Sequence, residues 1–566
     1  MKITTIFRLF AMNTVILAGT SSCSLDELPL DTFVPENSFV NQVGFEMAVN
    51  TLYNDFRVYT CTTEGKYIGF GFHMPDYLSA FSDVASGGQL SRNQAFDYRT
   101  LTPDHPAVGY YWDQAYSRMI KNSNVILSRI DNPDVKWDSE ADKNKVIAEA
   151  KWFRALAYRY LICLFGDVPY VDKEETTIKL DYKRENKETI LDHIIEDLEF
   201  SALYLPKNPD EVQDGELTMA AAKQLLAICY LHKANLSGNR EWYNQAVDAT
   251  SWIITSGYYN LMTSKFGEEL PAWRVPADKN DPYPYLFWEN NTNRKKGNRE
   301  TILAVQFEYN VKGGLSGYSP QMVRRWGPTY YNMMSPDGVK MLLTDTIGRP
   351  LSFVRPTKYA LDEVYANENA KDLRNNSNNM RRYWYWNNKQ SAYYGQKVDP
   401  SGFNESEMFQ NYQPMIRKTE GKYTNLGAGV DDNKNYYYMR LAETYLLRAE
   451  AYYMLGGGDN LQKAADDINE VRDRAKANLI TSDKVTLDYI LDERCRELII
   501  EEPRLLTLAR LGKDVLLSRI RKYNFYEVAG IDMAAKTIAD KNWLWPIPQS
   551  AIDANLDAKI SNNEGY

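Results

Sequence analysis

The sequence predicts an all-α dominated fold, a superhelical scaffold of tetratricopeptide-like helical repeats interrupted by an irregular, loop-rich subregion with short strands. Three observations carry this prediction. Apolar residues recur at steps of three and four along many segments, which is the helical period. Several of these segments are joined by short polar turns into pairs, with a repeat near about 34 residues that is typical of stacked helix pairs. Residues 258–435 lose the stripes and fill with Asn, Gly, Pro, Tyr and Trp.

The first helical block covers Glu36–Phe56, Tyr111–Ile130, Ala141–Phe165, Lys187–Leu205, Leu217–Leu236 and Trp242–Ser256. Its clearest member lies in AEAKWFRALAYRYLICLFGDVPY, residues 148–170. There Ala150, Phe153, Ala157, Leu161 and Leu164 share one stripe, Gly166 suits a left-handed cap, and Pro169 cannot continue a helix. Leu217–Thr250 reads as one repeat, with small Ala227 and Ala234 among large residues and an SGNR turn before its second helix. The second block opens near Met439. Ala442, Leu446, Ala449 and Tyr453 form its stripe, and Gly456–Gly458 make the turn to the next helix. Between the blocks, strands are expected at Thr301–Phe307 and Arg382–Trp386. A long stretch without helical periodicity normally carries function.

The first residues carry Lys2 and Arg8, an apolar run from Leu9 to Gly19, then Thr20, Ser21, Ser22 and Cys23, the layout of a secretory signal peptide over 1–22. The run is about half the roughly 20 residues needed to cross a bilayer. Removing 1–22 leaves 64 Lys+Arg against 75 Asp+Glu, a net charge of −11. Such a surface repels phosphate backbones, so nucleic acid is not an expected partner. Tyr and Trp are abundant, 41 and 12 against 20 Phe, and both suit half-exposed binding surfaces because an apolar face ends in a polar tip. Cys163, Cys229 and Cys495 sit among apolar neighbours as small hydrophobes, and no C-x-x-C suggests a zinc or redox site.

Two stretches and the tail resemble one family. Residues 148–170 resemble the A-E-x-x-F-x-R-A-x-x-Y…F-G-D-V-P signature of SusD/RagB-type proteins, outer-membrane lipoproteins of the Bacteroidetes that capture glycans or peptides. Residues 490–512, ILDERCRELIIEEPRLLTLARLG, resemble that family's I-x-x-E-R-x-x-E-L-x-x-E-G-x-R-x-x-D-L-x-R pattern. Glu493, Arg494, Glu497, Leu498, Glu501 and Arg504 are in register, with Pro503 where Gly is usual and Thr507 where Asp is usual. The tail keeps Pro546, Ile547, Pro548, Asn555, Asn563, Gly565 and Tyr566 of the family ending. Cys23 resembles the acylated cysteine of a lipoprotein, with Thr20 where Leu is usual, and Asp26 and Glu27 resemble a surface-export signal. The resemblance implies a lipid-anchored outer-membrane protein, facing the cell exterior, that takes oligosaccharide and hands it to a SusC-like TonB-dependent transporter. A RagB-like peptide binder and, further off, a surface glycoside hydrolase are the alternatives. It divides the chain into 1–22 signal peptide, 23–257 N-terminal SusD-like helical region, 258–435 irregular ligand-binding insert and 436–566 C-terminal SusD/RagB region with tetratricopeptide-like helices.

No catalytic, metal or cofactor constellation is legible. His73, His105, His193 and His232 are scattered without paired ligands, and GGLSGYS misses the nucleophile elbow by one position. Glu493, Glu497 and Glu501 lie along one helix interleaved with Arg494 and Arg496, a pattern of ion pairing. The spacing pairs Asp492 with Arg496 and Arg494 with Glu497. Binding is better served. Sugars need flat aromatic platforms with amides or Arg in reach, an apolar surface carrying a few placed polar groups. Arg382-Tyr383-Trp384-Tyr385-Trp386-Asn387-Asn388 offers this, with Tyr383 and Tyr385 on one side of a strand and Trp384 and Trp386 on the other. Trp288 with Glu289-Asn290-Asn291, and Trp326 after Arg324-Arg325, are weaker copies. A Gly/Ser-rich loop contributes Asp83, Gln89, Asn93, Phe96 and Tyr98. The candidate ligand contacts are therefore Asp83, Asn93, Phe96, Trp288, Trp326, Tyr383, Trp384 and Trp386, with Cys23 as the lipid attachment.

Overall fold

The computed structural model describes residues 38–61, 76–89, 97–308, 311, 314, 322–367, 371–423, 434–526 and 533–566. Its helices of eight residues or more are α1 (Gln42–Cys61), α2 (Pro106–Gln114), α3 (Lys121–Arg129), α4 (Glu140–Phe165), α5 (Lys187–Tyr204), α6 (Met219–Ser237), α7 (Glu241–Thr255), α8 (Leu441–Leu455), α9 (Gly458–Arg474), α10 (Leu487–Leu498), α11 (Arg504–Leu511) and α12 (Lys513–Tyr523). From α4 to α9 each helix packs on the next, which makes the expected superhelical stack. The chain leaves that stack after α7 and rejoins it at α8, and α8 lies directly on α7.

Helix α4 is the axis. Ser139 caps it by accepting from the Asp142 amide (3.1 Å), and Glu140 and Asp142 sit at its positive end. The sequence shows one stripe, but every residue from Trp152 to Phe165 is buried. The reason is that α1 and α3 cover one side, α5 the other, and α11 a third. Gly166 ends the helix at φ +73° with its amide on the Ile162 carbonyl (3.2 Å). The Trp545 amide then takes the Leu164 carbonyl, so the C-terminal strap closes the end that Gly166 opens. The segment expected as one helix over Tyr111–Ile130 starts earlier, at Pro106. It is broken by a π-turn over Ala115–Ile120 into α2 and α3.

Three two-stranded antiparallel ladders pin the long excursion: β1 (Ala85–Gly87) with β3 (Val354–Pro356), β2 (Thr301–Val305) with β6 (Tyr436–Arg440), and β4 (Met380–Arg381) with β5 (Met415–Ile416). The β2–β6 pair delivers the chain into α8, and its register shifts on either side of Leu303. The expected strand at 301–307 thus stops at Val305. The one expected at 382–386 lies just beyond β4 and keeps a single bridge, Tyr385 to Lys397. The excursion carries its own apolar cluster, which includes Val323, Tyr330, Met341, Trp384, Trp386, Val398 and Met415.

A lattice of buried charges joins the excursion to the C-terminal helices. Glu497 of α10 accepts from Arg440 Nη1 and Tyr283 Oη (both 2.7 Å) and from Arg474, while Glu300 takes Arg440 (2.7 Å) and Arg474 (2.8 Å). Glu493 is shared by Arg374, Arg472 and Arg496. Burial alone would raise the Glu497 carboxyl, but Arg474, Arg440 and Arg374 overcome it and hold it at about 2. The pairs read from spacing are replaced by one other pair within α10 and by tertiary ones. Asp492 pairs with Arg519 (3.1 Å), Arg496 with Glu493 (2.8 Å), and Arg494 with Glu502 (2.7 Å) and Glu443 (2.9 Å). Arg519 and Glu502 come from other elements, and sequence periodicity does not see across elements.

Candidate functional site

The aromatic run after β4 folds back on residues 395–398. The Trp386 amide donates to Gln396 O (3.0 Å), Gly395 to Trp386 O (2.8 Å) and Val398 to Trp384 O (2.9 Å). This local pairing gives the run a strand-like alternation although most of it is irregular. Trp384 and Trp386 are 2% and 5% exposed, whereas Tyr383 and Tyr385 are 52% and 53% exposed. The tryptophans, expected as platforms, are core. Trp384 stacks on Tyr330 (centroids 5.0 Å apart, planes at 9°), and its Nε1 donates to Gln413 O (3.1 Å). A ring so covered has no face left for a ligand. The tyrosines are what the hairpin presents to solvent. Lys397 Nζ lies 3.4 Å from the Tyr383 ring centroid, Tyr394 is half exposed at the turn, and Phe403 meets Tyr412 edge-on at 5.9 Å close by. Burial, then the nearby Tyr383, Asp399 and Tyr385, raise the Tyr412 hydroxyl, which places that ring beside the two exposed ones.

The hairpin is held rigidly. Asn387 exchanges two hydrogen bonds with the Leu342 backbone (2.8 and 2.7 Å), and Asn388 Nδ2 donates to Lys340 O (2.9 Å). Arg382 is spent on Asp362 (2.8 Å) and Asn375. These polar groups, expected to face ligand, brace the loop instead.

The other expected contacts are mostly interior. Trp288 is fully buried and meets Trp273 edge-on at 5.8 Å, and it is Trp273 that is exposed. Sequence reasoning passed over Trp273, whose signal was its setting in PAWRVP, a proline-bounded loop that no helical stripe claims. Trp326 is buried beside Arg325, which pairs with Asp76 (3.3 Å). Asp83 lies buried between Arg504 (2.8 and 2.9 Å) and Arg519 (3.0 Å). Against the effect of burial, these two cations hold its carboxyl below the usual range. It is a structural counter-ion. Gln89 donates to Leu351 O and Tyr98 to Phe81 O. Asn93, Phe96 and Cys23 lie outside the described residues.

The carboxylates expected along one helix are divided: Glu493 and Glu497 are fully buried among arginines, while α10 ends at Leu498 and leaves Glu501 beyond it, paired with Arg440 and Lys418. Among the described residues no group of three or more His, Cys, Asp or Glu could hold a metal ion, and no helix is long and apolar enough to cross a membrane. Burial lowers His105 to about 4, and its Nδ1 accepts from the Ala107 amide as a helix cap (3.2 Å). His193 stacks on Tyr170 at 4.4 Å.

Residues 285–566 match the model described as "SusD family", and residues 62–231 match the one described as "Starch-binding associating with outer membrane". The chain belongs to the SusD family. SusD-like protein P2 of Formosa agariphila is 24% identical over 98% of both chains. The starch-binding protein SusD of Bacteroides thetaiotaomicron is 25% identical over 76% of this chain and 74% of its own. Among solved structures, surface glycan-binding protein A from Bacteroides thetaiotaomicron in complex with laminarihexaose superposes with a TM-score of 0.66. It is 19% identical, covering 92% of this chain and 99% of that one. The SusD match starts at Tyr285 and so runs through most of the excursion, where the sequence shows no family signature.

Proposed function

We propose that this SusD-family protein is a cell-surface, lipid-anchored glycan-binding protein that captures oligosaccharide and passes it to a partner TonB-dependent outer-membrane transporter without breaking bonds. The observation that carries the reading is the pair of half-exposed rings Tyr383 and Tyr385 on a hairpin whose reverse side is packed into core. A sugar ring offers a flat C–H face, and rigid aromatics supply contact area at low entropic cost. Support also comes from the starch-binding and laminarihexaose-bound relatives. Acylation at Cys23 after removal of 1–22 would tether the chain to the outer membrane, facing outward. In this reading 23–257 and 436–566 form the scaffold and 258–435 supplies specificity. The commitment of the α10 carboxylates to arginine favours binding over hydrolysis.

The test is calorimetry of residues 24–566 with starch- and laminarin-derived oligosaccharides, alongside Tyr383→Ala and Tyr385→Ala. Saturable heat for one glycan class, weakened in both variants, is the expected result. Heat with peptides and none with glycans overturns the reading, as does glycan binding accompanied by release of shortened sugar.

A further inference from the structure

Where the two helical blocks meet, the core holds a guanidinium with no counter-charge among the described residues. Arg159 of α4 is buried, its Nε has no hydrogen-bond partner, and its guanidinium makes no ion pair. An uncompensated buried charge costs several kcal/mol. It lines a cavity of about 30 Å³ together with residues of α6, β6, α8, α10 and α11. Arg494 lines the same cavity, and its Nη1 is also buried without a partner.

The carboxylates on the cavity are already committed. Glu443 is taken by Arg494 (2.9 Å) and Gln224 (2.8 Å), Glu502 by Arg494 (2.7 Å) and Thr507 (2.6 Å), and Glu501 by Arg440 and Lys418. The titratable groups around Arg159 are Tyr438, Cys163, Tyr160 and Cys229. Burial, against the pull of Arg159, lifts Tyr160 and Cys229 to about 12, so both are neutral at physiological pH. His232 is lowered to about 3 by burial and then by Lys187, Arg510 and Arg159, which marks the surroundings as positive. None of these groups supplies a negative charge.

We propose that this cavity is a buried binding site for one monovalent inorganic anion of chloride size, held between the Arg159 guanidinium and Arg494 Nη1. A water needs roughly 10–15 Å³ of such space, so the cavity has room for an ion of chloride size. The ion neutralises Arg159 and bridges α4 to α10 across the junction of the two helical blocks. Its role is structural and independent of the glycan reading.

Bromide tests this directly. Wild-type crystals grown in sodium bromide should show an anomalous peak between Arg159 and Arg494 Nη1. Density there without anomalous signal, a water only, overturns the proposal. In solution, replacing gluconate by chloride at fixed ionic strength should raise the Tm of the wild type by about 1–2 °C. The rise should be absent in Arg159→Gln. An equal response of the wild type to both salts overturns the proposal. If Arg159→Gln fails to fold, the bromide map and the wild-type salt comparison decide it.

Discussion

Tyr383 and Trp384 are neighbours that face opposite ways, so truncating each separates binding from packing. Removing a buried tryptophan side chain costs about 3–5 kcal/mol. Trp384 is such a residue, covered by Tyr330 on one face and hydrogen-bonded to Gln413 O. Leaving that carbonyl without its donor adds about 1 kcal/mol. The loss falls on the apolar cluster of the excursion and not on the α4–α9 stack. In Trp384→Ala, amides around 384–398 should therefore lose hydrogen-exchange protection while those of α4 keep theirs. Tyr383→Ala removes a half-exposed ring, a surface change within about 0.5 kcal/mol of neutral for stability. If that ring stacks on glycan, affinity falls by about 1–2 kcal/mol, roughly 5–30-fold in Kd. Hydrogen exchange and calorimetry on the same samples read the two quantities separately. A Trp384→Ala protein with wild-type protection and no glycan binding would refute the assignment of sides on which the candidate site rests.

Three further outcomes follow from the buried charges and the α4 stop. Glu497 and Glu420 are each pulled to about 2 by surrounding arginines that outweigh burial. Their folded pKa is depressed, so the stability they contribute is full above the unfolded value and is lost as pH falls from about 4.5 towards 2. On the order of 3 kcal/mol per group is at stake, to be read by urea titration across that window. Glu149 goes the other way. Burial raises it to about 7 while Tyr53 donates to it (2.8 Å), so its stability is full below about 4.5 and lost as pH rises through 7. Glu149→Gln should accordingly raise Tm at pH 8 and change little at pH 5, and a loss at both would show that the carboxylate form is needed. Gly166→Ala places a side chain at φ +73° with its Cβ 3.0 Å from Leu544 Cδ1, and should cost about 1–3 kcal/mol in denaturant titration.

How much of this was legible in the chain depends on the range of the interaction. Local periodicity placed the α4–α9 stack because each helix buries a stripe that its own residues define, and Gly166 marked the stop because φ +73° with ψ −125° is a backbone that favours glycine. Period-two alternation split 382–386 correctly into a tyrosine side and a tryptophan side. It could not say which side was buried, because that is decided by Tyr330, more than fifty residues upstream, stacking on Trp384. The same limit explains the ion pairs. Spacing within α10 offered Asp492–Arg496 and Arg494–Glu497, but Arg519, Glu443 and Glu502 arrive from other elements. Thr507 stands where the family pattern has Asp, and its hydroxyl donates to Glu502 (2.6 Å), so a neutral donor there leaves Glu502 free to serve Arg494. An ionised acid at 507 would sit against Glu502 and could not donate the hydrogen bond that Glu502 accepts from Thr507. The departure from the family pattern is thus matched by the hydrogen bond that Thr507 gives Glu502.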